Sequence, residues 1–217
     1  MIFVYRTSMV GPSGMPLSDY EEGAIIKLNE GGSPAEFYVS KHDYESGLNG
    51  AGRMLVVRKD VYDGQVCDSG NVNAYSGSDL DTWFNGTYKK LLDPAIQTAI
   101  GTTKFYYTPG NGNNTVGTLE RAVFAMSLTE LGLSHPYANT EGSALPIAST
   151  LQIAYRNGSA TVQWTRTPGT SSTRHAWMLN SSGAANNYVC VNPLGSRPVF
   201  TLPSTLLLNP NTNEVVA

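Results

Sequence analysis

Short apolar stretches separated by clusters of Gly, Pro, Asn and Ser run the length of this chain. Residues 24–28 and 35–39 flank Asn29-Glu30-Gly31-Gly32-Ser33-Pro34, which is turn chemistry, so the pair predicts a hairpin. Residues 53–58 predict a further strand after a Gly-rich loop. Leu80, Trp83, Phe84, Tyr88 and Leu91 recur at helical spacing. Ser78 can cap that helix, Asp79 and Asp81 favour its positive end, and Trp83 is expected in the core. Pro94 opens a second short helix running to Ile100. Residues 104–107 and 121–126 read as strands, the first closed by the turn at 109–112. Ser127-x-x-Glu130 is a capping box that predicts one helical turn ended by Gly132. From residue 151 onward only short strands are predicted, at 151–155, 161–166, 175–180, 186–191 and 197–202. Asn157-Gly158 and Ser182-Gly183 supply hairpin turns. The pattern describes one α+β domain, residues 18–217, built of short antiparallel strands with two or three helices. It follows an irregular N-terminal arm, residues 1–17.

Charge alters this picture in one way. Only 14% of the 217 residues are charged, against about 25% in ordinary domains. The formal net charge is -3 and no Lys/Arg cluster is present, so nucleic acid is not an expected partner. No apolar run approaches the roughly 20 residues that span a bilayer, so membrane insertion is not expected. The opening Met-Ile-Phe-Val-Tyr-Arg lacks the form of a secretion signal, and none is expected. Every Asp lies at or before Asp93 and every Lys at or before Lys104. From Gly142 onward the charged side chains are Arg156, Arg166, Arg174, Arg197 and Glu214.

That distribution argues against chemistry in the C-terminal third. Calcium needs several hard oxygen ligands, usually carboxylates, and residues 163–203 contain none. His42, His135 and His175 form no zinc-type pair, so neither metal nor cofactor is expected. The chain contains no G-x-S-x-G elbow, phosphate-binding loop or H-E-x-x-H, and catalysis is not expected. Helix capping accounts for Asp79 and Asp81, and a solvated loop for Asp60, Asp63 and Asp68. Cys67 and Cys190 read as two buried free thiols, with a bridge left open.

Residues 163–203 are the most informative. Trp164, Arg166, Trp177, Arg197 and Phe200 have the character of a buried frame. Arg166 and Arg197 are expected to fix loop carbonyls or a carboxylate such as Glu120 or Glu141. Strand alternation turns Trp177 and Leu179 inward and Ala176 and Met178 the other way. The ligand-binding set between the anchors is then Thr170, Ser172, Arg174, His175, Met178, Asn186, Asn187, Tyr188 and Asn192. This mixture of aromatic, Ser and Asn side chains is one that binding loops use.

The run Trp164-x-Arg166-Thr167-Pro168-Gly169, then Ala176-Trp177, Ser182-Gly183 and Gly195-Ser196-Arg197-Pro198-Val199-Phe200-x-Leu202, resembles the DUF6273-type domains of gut bacterial and phage proteins. Their usual form is W-x-R-S-P-G, A-x-x-V, G and G-V-R-P-A-x-x-L. Ser78-Asp79-Leu80-Asp81-Thr82-Trp83-Phe84-Asn85 is similar to their S-D-I-x-x-W-L-N helix, and the likeness covers roughly residues 20–206. Thr167 and Ser196 depart from the pattern as Thr for Ser and Ser for Val. The resemblance implies a C-type-lectin-like fold, related in outline to formylglycine-generating enzymes but without their cysteine and metal chemistry. Some relatives are phage tail or receptor-binding proteins and targets of diversity-generating retroelements, which rewrite adenine-containing codons. Asn186, Asn187, Tyr188 and Asn192 are types such rewriting yields.

The expectation is therefore a non-enzymatic ligand-binding module on a phage virion, at a tail tip or fibre, that recognises a bacterial surface protein or glycan. Other virion proteins are expected partners, a homo-oligomer is possible, and the bacterial cytoplasm is the location before assembly. The alternative is a structural virion component, a baseplate or decoration protein, without host recognition.

Overall fold

The computed structural model describes residues 14–212 and 214–216. Residues 1–13 of the expected arm lie outside them. The arm's last residues are tied to the body: β1 (Met15–Pro16) pairs with β16 (Leu207–Leu208), and Leu17 is fully buried. In chain order there follow β2 (Ile25–Glu30), β3 (Ser33–Lys41), α1 (Ser46–Asn49), β4 (Arg53–Arg58) and β5 (Asp63–Val66). Next come α2 (Asp79–Gly86), α3 (Pro94–Ala99), β6 (Thr103–Tyr107), β7 (Gly117–Arg121), β8 (Val123–Phe124) and α4 (Ala148–Gln152). The remaining strands are β9 (Ala154–Arg156), β10 (Ser159–Thr161), β11 (Gln163–Pro168), β12 (His175–Leu179), β13 (Ala185–Val189), β14 (Pro193–Ser196) and β15 (Val199–Pro203).

Two five-stranded sheets organise the chain, ordered β2-β3-β4-β15-β8 and β13-β12-β11-β14-β5. Among the described residues, pairing within these two sheets is antiparallel except between β11 and β14, which run parallel through Gln163 and Gly195. The fold is thus α+β, with mostly antiparallel strands and few helices. In the first sheet Gly31 and Gly32 both take positive φ, which a two-residue hairpin turn requires, and so set the β2–β3 register. Arg53–Arg58 and Val199–Pro203 are the central strands, and their near-continuous apolar runs follow from cover on both faces. Phe200 packs on Phe37 at 5.5 Å between ring centroids.

Helix α2 begins as its sequence dictates: Ser78 Oγ accepts from the Asp81 amide at 3.2 Å. Trp83 is half-buried rather than core, packed between Tyr62, Phe84 and Tyr88. Residues 151–155 depart from expectation. Leu151 and Gln152 finish α4, and the strand begins only at Ala154, because the Leu151 amide bonds back to Ile147 O and closes a helical turn that buries Leu151. Ser127 and Glu130 do make the reciprocal capping bonds, at 2.8 and 3.0 Å, yet they close turns rather than a helix. Cys67, just after β5, and Cys190, just after β13, are free buried thiols, and the Asp68 amide donates to the Cys190 carbonyl at 3.1 Å. Hydrogen bonding to Cys190 and burial push the Cys67 thiol upward.

Candidate recognition face

The loop between β11 and β12 is held from beneath by one side chain. Asn73 is buried; its Nδ2 donates to the carbonyls of Gly169, Ser172 and His175 at 3.0, 2.7 and 2.9 Å. The Asn73 amide donates to the Thr173 carbonyl at 2.8 Å, and its Oδ1 accepts from the Asn111 amide at 2.7 Å. Gly110 lets these loops meet, since a Cβ there would lie 2.6 Å from the Asn73 carbonyl oxygen. On the other flank the Thr170 amide donates to Tyr137 O at 2.9 Å, and Asn114 Nδ2 donates to Thr170 O at 3.2 Å. Five of the carbonyls of residues 169–175 are thereby satisfied from within the protein, and the side chains of Ser171, Thr173 and Arg174 are left to face solvent.

Arg174 is exposed and unpaired among the described residues, beside a shallow cleft lined by Gly112 and residues 170–174. Ser172 and His175 are half-buried and bonded to each other, Oγ to Nδ1, at 2.8 Å. Thr170 and Asn192 are half-buried as well. Asn186, Asn187 and Tyr188 are exposed on β13, an edge strand.

Met178 does not belong to this outward set. It is 6% exposed, and the alternation expected for β12 fails because both faces of the strand are covered: Ala176, Trp177, Met178 and Leu179 are all buried. The β12–β13 register also divides the strand residues. Tyr188 lies opposite Ala176 and Asn186 opposite Met178, whereas Asn187 lies opposite Trp177 on the other face. The structure therefore groups Thr170, Ser172, Arg174 and His175 on the loop, and places Tyr188 with Asn186 on one side of the edge strand.

The frame is buried as expected, with a different partner for Arg166. Its guanidinium pairs with Glu130 at 2.6 and 3.0 Å and donates to the carbonyls of Ala125 and Tyr106 at 2.8 and 3.1 Å. Glu120 instead pairs with Lys104 on the surface. Glu141 accepts from the Thr108 amide and Thr167 Oγ1 at 2.5 and 2.6 Å. Burial alone would lower the Arg166 guanidinium; the Glu130 carboxylate and Tyr44, whose hydroxyl also donates to Glu130, hold it above its ordinary value. Arg197 binds carbonyls, as expected: those of Arg58, Leu151 and Lys59, each at 2.7 Å. Burial outweighs the pull of Asp60 and lowers its guanidinium to about 10. Trp164 Nε1 donates to Gln65 O at 2.9 Å. Trp177 Nε1 donates to Tyr137 O at 3.1 Å, and the Trp177 ring packs on His135 at 4.3 Å.

Asn73, Asn114 and Tyr137 escaped the sequence reading. Tyr137 is the most exposed large apolar side chain described, at 55%. Nothing in the pattern around Asn73 distinguishes it from a turn residue, because every bond it makes is to a distant segment. Asp79 and Asp81 are both engaged, the first on the Ser69 amide and the second on Arg121. Among the described residues no three His, Cys, Asp or Glu side chains gather as a metal site, and no helix is long and apolar enough to cross a membrane.

Residues 51–204 match the sequence model of a family described as a domain of unknown function, DUF6273. The chain belongs to the DUF6273 family. No curated protein and no solved structure matches it. The matched span holds both five-stranded sheets' C-terminal strands, Asn73 and the whole loop face, while the β2–β3 hairpin precedes it.

Proposed function

We propose that this DUF6273 chain is a non-enzymatic binding module with a C-type-lectin-like fold, displayed on a phage virion at a tail tip or fibre. In this role it recognises a bacterial surface protein or glycan through the loop at residues 169–175 and the neighbouring edge strand β13. One observation carries the reading: the loop backbone is fixed by Asn73 while Arg174, Thr170 and the flanking hydroxyls remain available. A fixed backbone lowers the entropic cost of binding, so short polar side chains suffice. Tyr188 and Tyr137 supply broad aromatic contact, the kind that dominates interface energetics. No cofactor or metal enters this mechanism.

The test is retention of the purified, fluorescently labelled chain on intact bacterial envelopes. Specific retention that falls roughly tenfold in Arg174→Ala or Tyr188→Ala supports recognition. Retention unchanged in both variants, or association with virion proteins alone, assigns the chain to virion architecture.

A further inference from the structure

Three buried side-chain oxygens among the described residues lack a hydrogen-bond partner: Asn71 Oδ1, Thr108 Oγ1 and Glu45 Oε1. Only the last belongs to a charged group lining an open cleft. That cleft is formed by Glu45, Tyr106, Val116, Thr140, Gly142 and Ser143. Glu45 is held there against its backbone preference, at φ +46° in the left-handed region. Such strain in a non-glycine residue persists where the surroundings impose it, and binding sites are where it concentrates. Lys41 Nζ stands 3.8 Å from Glu45 Oε1 and 3.4 Å from Ser143 Oγ.

The cleft's walls are anchored to the frame. The Tyr106 carbonyl accepts from Arg166 Nε, and Gly142 follows Glu141, whose carboxylate is pinned by Thr108 and Thr167. Between those walls the Tyr106 ring, 36% exposed, and Val116 give an apolar platform beside the polar groups. We infer that this cleft is a second binding site, for a neutral polyhydroxylated ligand of the saccharide class. The charge pair decides the class. Lys41 and Glu45 nearly cancel, so neither an anion nor a cation is favoured. Adjacent hydroxyls can donate to the carboxylate and accept from the ammonium at once. The Tyr106 face suits the apolar side of a sugar ring, as aromatic platforms do in mostly apolar pockets with a few placed polar groups. None of the loop-face residues takes part, so this inference stands apart from the proposed function.

The experiment is an NMR titration of the 15N-labelled full chain with methyl β-glucoside, methyl α-mannoside and methyl N-acetyl-β-glucosaminide. Acetate and n-butylammonium serve as charged probes. The amides of Tyr106, Val116, Gly142 and Ser143 should shift with at least one glycoside. Affinity should fall about tenfold in Tyr106→Ala, whose ring is partly in solvent. Glu45→Gly should abolish the shifts while the melting temperature holds or rises, because glycine accepts the left-handed backbone without strain. No shift with any glycoside overturns the inference. So does a response only to a charged probe, or glycoside binding that survives both substitutions unchanged. Shifts confined to residues 169–175 would place saccharide binding on the loop face instead and also overturn it.

Discussion

The loop at residues 169–175 and the edge strand β13 carry the same kinds of side chain on supports of unequal stiffness. The loop is bonded from below by Asn73 and from the side by Tyr137 and Asn114. Strand β13 is paired to β12 along one edge only. An irregular segment is thus the more constrained of the two, because its backbone bonds go to three separate parts of the chain. Regular secondary structure at a sheet margin is no guarantee of rigidity, since half its backbone groups face outward.

The comparison breaks most completely at Asn73. Asn73→Ala would leave the Ser172 carbonyl without its donor and take one of two donors from the carbonyls of Gly169 and His175, and should cost about 2–3 kcal/mol. Urea unfolding measures that loss, and hydrogen exchange should rise across residues 170–175 while β13 keeps its protection. Equal loosening of both regions would show that they share one support. A smaller effect separates His175 from Tyr188. His175→Ala removes a half-buried ring bonded to Ser172 and should cost about 1 kcal/mol. Tyr188→Ala, on the open edge, should stay within about 0.5 kcal/mol. Thermal unfolding of the two single variants checks the ordering.

The smallest effect is one of pH. Hydrogen bonds from Ser69 hold the Asp79 carboxyl below its ordinary value of 3.8. A lowered folded value means that its contribution is complete above 3.8 and disappears as pH falls through the folded value. Asp79→Asn should therefore lose stability less steeply with acidification below that point. Since Asp79 begins the helix whose Leu80 amide bonds to Cys67 O, and the Asp68 amide bonds to Cys190 O, the change reaches the β13 end before it reaches the loop. Parallel acid-unfolding curves for the two proteins would remove this connection.

Local chemistry was legible in the sequence. The cap at Ser78, the Asn157-Gly158 and Ser182-Gly183 turns, and strand β4 stand where neighbouring residues alone required them. The burial of Trp164, Arg166, Trp177, Arg197 and Phe200 was legible too, since bulky side chains between fixed Gly and Pro residues have few other places to go. Met178 was misplaced because alternation assumes one wet face, and β12 has none. Glu130 was already assigned to a capping box, and no sequence rule shows that one carboxylate serves both that box and Arg166. Asn73 was invisible for the same reason: its partners are 38 to 102 residues away.

Strand β14 belongs to one sheet and β15 to the other, with only Arg197 and Pro198 between them. Arg197 grips the end of β4 through Arg58 and Lys59, and the end of α4 through Leu151. Gly195 admits no side chain there, as its Cβ would meet the Val162 carbonyl at 2.3 Å. The two sheets are consequently riveted where β14 gives way to β15. A tug on one sheet would be transmitted through that rivet to the other as a single load, and moving one sheet against the other would first require tearing the guanidinium from its carbonyls.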